Sequence, residues 1–128
     1  MEKAKLANPP EGDRAKELWL NHAIGFTLVR DVRDYAREQM DANLSSEAQL
    51  AAEKAIDDAL YGLMMVLDGV PDRFRNSRYA VALESEIVLY DGEHEAIRTD
   101  FFESFCMGYH SWVEGDFGED PITEIDCT

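Results

Sequence analysis

The sequence lacks a long apolar run: nothing in its 128 residues approaches the roughly 18 that a membrane span requires. The opening MEKAKLANPPEGD holds two lysines but no apolar stretch, so no secretory signal is expected there. Cysteine is scarce. Cys106 and Cys127 are too few for a disulfide framework, and both read as reduced thiols of a cytoplasmic protein. The phosphate-loop pattern G-x-x-x-x-G-K-S/T, the dinucleotide pattern G-x-G-x-x-G, the elbow G-x-S-x-G and the zinc pattern H-E-x-x-H are all missing. Phosphate-loop, hydrolase-elbow and helical zinc chemistry therefore have no support, and nothing implies a cofactor. Positive charge is the last shortage: 12 bases stand against 27 acids, a net −15. Such a surface repels nucleic acid and anionic lipid, and favours either a cationic partner or plain solubility.

What is present is helical periodicity. The stretch Ser45–Gly69 opens on serines and closes on glycine, with Ala52, Ile56, Ala59, Leu60, Leu63, Met64 and Leu67 spaced by three and four. That spacing puts them on one helical face. Beyond Asp58 the helix turns apolar almost all round, which predicts cover on every side. Ser45 or Ser46 caps it, and Ser46 with Gln49 would form a capping box. An earlier helix is predicted over about 13–41, capped by Asp13. Its apolar stripe is Leu18, Ile24, Leu28, Val29, Val32, Tyr35, Ala36 and Met40, with a break near Gly25 to relieve its length. Its outer, solvated face holds Arg30, Arg33, Asp34, Arg37, Glu38 and Asp41, with Arg30–Asp34 and Arg37–Asp41 spaced to pair. The short link 42–44 makes the two helices an antiparallel hairpin.

From Tyr79 the period changes to two, giving one long strand or two short ones that part at Glu84-Ser85-Glu86. Asp91-Gly92 turns the chain into a returning strand, so a small β element occupies about 79–98. A last helix over about 100–114, capped by Thr99 or Asp100, carries Phe101, Phe105, Tyr109 and Trp112 at helical spacing. The fold class is mostly helical α+β. The organisation is a flexible lead-in at 1–12, one globular domain over 13–118, and a loosely ordered acidic tail at 119–128.

Several residue groups can carry chemistry. His22, His110, Glu114 and a central-helix acid, Asp57 or Asp58, could meet around a metal, with His110 and Glu114 one turn apart. The commoner fate of such histidines is a core or rim position. Asp57 faces either solvent or a buried partner, and Asp68 sits unfavourably near a helix end unless its side chain caps a following segment. Arg73, Arg75 and Arg78 can take a phosphate or carboxylate, but in so acidic a chain they are expected to pair with neighbouring acids. Glu84 and Glu86 share a strand face too closely to flank a substrate.

The richest segment is FFESFCMGYHSWVEGDFG, residues 101–118, with six aromatics. Phe101, Phe102 and Phe105 are expected on the central helix. Tyr109, Trp112 and Phe117 are then left near the surface beside Glu114 and Asp116, a combination suited to anchoring and steering a basic protein. In size, charge and helix–strand–helix pattern the chain resembles the acidic immunity or inhibitor proteins that block nucleases and other toxins. The resemblance lies in composition and assigns no residue. It implies a small non-enzymatic interaction protein that masks a basic partner. The alternatives are a small helical ligand- or metal-binding enzyme and a structural homodimer joined through the aromatic terminal helix.

Overall fold

The structure, a computed structural model, describes residues 3–99, 105–118 and 121–125. Strand β1 (Lys3–Leu6) leads into helix α1 (Asp13–Leu28). A π-helical stretch, Val29–Asp34, carries α1 without interruption into the short α2 (Tyr35–Glu38). After a brief link comes α3 (Ser46–Leu67), then the short strands β2 (Phe74–Arg75) and β3 (Ala80–Val81), the hairpin β4 (Ile87–Asp91) and β5 (His94–Thr99), helix α4 (Phe105–Trp112) and strand β6 (Ile122–Ile125). This is the mostly helical α+β fold that the periodicities predict, with a helix hairpin at its centre. Among the described residues no helix is long and apolar enough to cross a membrane.

Local chemistry accounts for most of the boundaries. Ser45, rather than Ser46, caps α3: its side chain accepts from the Ala48 N–H at 3.2 Å. The same helix stops where Gly69, at φ 74°, turns left-handed. There the Gly69 N–H reaches the Val66 carbonyl and the Val70 N–H reaches that of Met65, closing the last orphan carbonyls. Helix α1 starts without a side-chain cap, so Asp13 acts as an acid in the first turn instead. No break occurs at Gly25; the helix relieves itself further on, through the wider π turns.

Those turns have a consequence for the apolar stripe. A π segment adds residues per turn and shifts the phase of everything beyond Val29. Val32 and Tyr35, placed on the buried stripe by regular α spacing, are exposed instead. Arg33 and Arg37, expected on the solvated face, reach across to α3. Arg33 binds Asp57 at 2.8 Å, and Arg37 binds Asp57 at 3.0 Å and Glu53 at 2.9 Å. Residue numbers rise along one helix as they fall along the other, which fixes the pair as antiparallel.

The core gathers Trp19, Leu20, Val29, Leu60, Met64, Ile87, Phe105 and Trp112 from both long helices, the β4–β5 hairpin and α4. The second half of α3 is not covered all round: Leu60 and Met64 are buried, whereas Leu63 and Val66 are exposed. The β region forms two separate antiparallel pairs, β2 with β3 and β4 with β5, the latter shifted by a bulge between Leu89 and Tyr90. A third pair was not foreseen. β1 lines up antiparallel with β6, Leu6 opposite Ile122 and Lys3 opposite Ile125, so segments expected to be loose hold each other. The Ala7 N–H extends the ladder to the Pro121 carbonyl at 2.7 Å.

Candidate functional site, an acidic groove beside the π-helical turn

Trp112 comes first because it decides what the aromatic segment can do. The indole is fully buried, at 0% exposure, which removes it from any partner surface. Two glycines make its slot. A Cβ on Gly25 of α1 would stand within 2.7 Å of three indole carbons, and one on Gly108 of α4 within 2.6 Å of three. Helix α1 therefore meets the ring with bare backbone, Gly108 lets the ring lie along its own helix, and the polar end is satisfied too: Nε1–H donates to His22 Nδ1 at 3.0 Å. The bare backbone of Gly25 on α1 and of Gly108 on α4 leaves room for this large side chain in the core.

The remaining expected contacts divide. Tyr109 is half-buried on the α3 side, edge-on to Tyr61, and its hydroxyl donates to the Asp57 carbonyl at 3.4 Å. Burial, with the Asp57 charge adding to it, holds its phenol above the ordinary value. Phe117 packs edge-on against Phe26, with ring centres 5.4 Å apart. Glu114 and Asp116 are exposed, and the Asp116 carboxylate accepts from the Gly118 N–H at 3.0 Å. Phe101 and Phe102, and the capping by Asp100, lie outside the described residues.

Asp68 caps α4 from a distance. Its carboxylate accepts from the N–H groups of Phe105 and Cys106, both at 2.9 Å. An acid misplaced at the C-terminal end of one helix is thereby well placed at the N-terminus of another.

The metal constellation does not assemble. Among the described residues no three His, Cys, Asp or Glu side chains stand together to hold an ion. Each expected ligand is otherwise placed: His22 accepts from Trp112, Asp57 is held by two guanidinium groups, His110 lies against Tyr61 and Tyr109, and Glu114 is exposed. Burial pushes the Asp57 carboxyl up, but the Arg33 hydrogen bond and the charges of Arg33 and Arg37 outweigh it and hold it below the usual carboxylate range. Asp58 pairs with Lys54 in solvent, and Glu86 with Arg98.

What the fold does assemble is a groove of about 1140 Å³ between the π-helical turn, α2 and the Val113–Phe117 turn, with Ala4, Lys5 and Ile122 also contributing. Its aromatic lining is Phe26, Tyr35 and Phe117, and its acids are Asp31, Asp34, Glu38 and Glu114. Of its three basic residues, Lys5, Arg30 and Arg33, the two arginines are already paired, Arg30 with the groove's own Asp31. Arg30 binds Asp31 at 2.8 Å and lies 5.0 Å from the Phe26 ring centre, and Arg33 binds Asp57. The hydrogen bond from Arg30 keeps Asp31 ionised, below its ordinary value. Glu38 and Glu114 make no ion pair among the described residues, and Asp34 only touches Arg33 at 4.0 Å. Tyr35, in the same lining, is 60% exposed.

Glu114 and Phe117 are thus brought to one site, Trp112 forms its buried floor, and Tyr109 and Asp116 do not line it. Asp34, Tyr35 and Glu38 were missed. The signal was a tyrosine flanked within one helical turn by three acids, but regular α spacing placed the ring inward and the acids outward. Such an arrangement can hold a cation over the tyrosine ring while carboxylates neutralise it. Compared with known proteins, the chain matches no family profile, no curated protein and no solved structure.

Proposed function

We propose that this protein is a small non-enzymatic interaction protein that takes a basic segment of a partner protein into its acidic groove and masks it. The supporting observation is the exposed Tyr35 ring set among Asp34, Glu38 and Glu114 along a groove whose Arg30 and Arg33 are already spent on acids. A lysine or arginine of the partner would stack on Tyr35 and meet the carboxylates. The net −15 would speed its approach. A π-helical turn beside the groove agrees with this reading, because such turns are common where helices carry function.

The test is capture from native extract at low and raised salt, read by mass spectrometry, with three forms of the protein. Wild type and a remote-charge control, Glu11→Gln with Glu47→Gln, should retain the same basic protein and release it as salt rises. Tyr35→Ala combined with Glu38→Gln and Glu114→Gln should lose it. Equal retention by all three forms would reduce the charge to a nonspecific effect and overturn the proposal.

A further inference from the structure

The segment from Val70 to Leu83 stands apart from the acidic character of the chain. It carries Arg73, Arg75 and Arg78 with a single acid, Asp72, so the rest of the chain holds the negative charge. The expected pairing of these arginines with neighbouring acids does not occur: none of the three makes an ion pair among the described residues. Arg75 reaches the Arg73 carbonyl at 3.4 Å, and Arg78 lies 5.0 Å from the ring centre of Tyr79. The segment is nonetheless ordered. β2 pairs with β3, and Asn76 closes the turn by accepting from the N–H groups of Arg78 at 2.8 Å and Tyr79 at 2.7 Å.

This hairpin arm shows a large apolar surface. Phe74 is 87% exposed, and Val70, Tyr79, Val81 and Leu83 are each more than half exposed. An isolated two-stranded hairpin is marginal in water without such side chains being covered. Between the arm, the end of α3 and the β4–β5 hairpin lies a cleft of about 930 Å³. Its apolar lining includes Val66 and Val88. Its acids include Asp72 and Glu84, which form no ion pair among the described residues. Arg73 and Phe74 belong to the lining, whereas Arg75, Arg78 and Tyr79 stand outside it; the outer side of the arm is thus basic and aromatic, and Asp72 and Glu84 give the cleft its unpaired acids. The arm walls its own cleft and leaves it open.

We infer that the protein forms a two-fold homodimer in which the arm of each copy enters the cleft of the other. Arm and cleft are contiguous on one molecule, so a single two-fold axis beside them satisfies both at once, the self-complementary geometry of a closed dimer. The arginines of one arm meet Asp72 and Glu84 of the second copy, and Phe74 covers Val66. The occupant is a second copy because the chain's own acidic surface is the complement that the basic arm lacks within its own fold. This inference uses a different face from the groove and does not rest on the function proposed above.

The test is sedimentation equilibrium of the full chain over a wide concentration range. Wild type should show twice the chain mass at the upper concentrations and dissociate on dilution. Phe74→Asp, Arg75→Glu and Glu84→Arg should each weaken the dimer by about tenfold or more, with circular dichroism unchanged because all three residues are exposed. Mixing the Arg75→Glu and Glu84→Arg chains should restore a dimer tighter than either forms alone, since the reversed arm then meets the reversed cleft. A monomer at every concentration would overturn the inference and leave the arm to an acidic protein of another kind. A dimer indifferent to all three substitutions would overturn it as well.

Discussion

Replacing Gly25 by alanine tests the packing on which the whole helical body depends. In an exposed helix interior, Gly→Ala stabilises by about 1 kcal/mol, through backbone entropy and helix propensity. Gly62 of α3 provides that reference, because a Cβ there meets nothing within 4 Å. At Gly25 the new Cβ would fall within 2.7 Å of Cδ2, Cε2 and Cε3 of Trp112, where ordinary contacts begin at 3.4 Å. The nearest, Cδ2 at 2.3 Å, has to move by 1.1 Å to reach ordinary contact, a displacement that a close-packed core resists. The indole resists moving, because it lies along Gly108 one turn back on its own helix and its Nε1–H is tied to His22.

Overpacking of this kind costs about 1–3 kcal/mol, and more where the neighbours cannot yield. Set against the propensity gain, Gly25→Ala should lower stability by about 1–2 kcal/mol, whereas Gly62→Ala should raise it by about 0.5–1 kcal/mol. For a chain of this length the two melting temperatures should separate by roughly 5–10 °C. Urea denaturation followed by both tryptophan fluorescence and circular dichroism measures the difference. In a Trp112→Phe background the smaller ring should relieve the clash, so the two substitutions should be strongly non-additive. If Gly25→Ala proves as stable as Gly62→Ala, the close approach of backbone to indole is not real and the argument fails.

Two further predictions concern the polar links that join elements. Asp57 is held below the usual carboxylate range by Arg33 and Arg37. Its contribution is therefore complete above the unfolded value of about 4 and is lost as pH falls through its lower folded value. Asp57→Asn should destabilise by about 1–3 kcal/mol at neutral pH and by progressively less below about pH 4, read from urea midpoints along a pH series; a constant difference down to the lowest pH would contradict the pairing. Asp68→Ala should cost about 1–2 kcal/mol by stripping the N-terminus of α4 of its acceptor. Faster amide exchange at Phe105 and Cys106 should mark the loss, and unchanged exchange there would show that the cap is dispensable.

The central helix was legible because its limits are set by neighbours in sequence. A serine that caps within three residues and a glycine that turns left-handed act wherever the chain places them. The same holds for the change of period after Tyr79 and the turn at Asp91-Gly92, which β4 and β5 follow. The candidate site was legible only in part. Glu114 and Phe117 were marked by an acidic, aromatic segment, but Asp34, Tyr35 and Glu38 were hidden by a π-helical stretch that shifts helical phase without a sequence signature.

Composition and local pattern thus determined a strongly acidic, mostly helical chain with its central helix and its turns. Tertiary structure alone decided which side chains are spent on one another. Trp112 and His22 are 90 positions apart, Asp68 and Phe105 are 37, and Arg33 and Asp57 are 24. Each of these residues has an ordinary local reading: surface aromatic, stray helix-end acid, solvated base. Burial overturns those readings, because a desolvated indole N–H, a bare helix terminus and a half-buried carboxylate must all find partners, and only the folded chain brings the partners within reach.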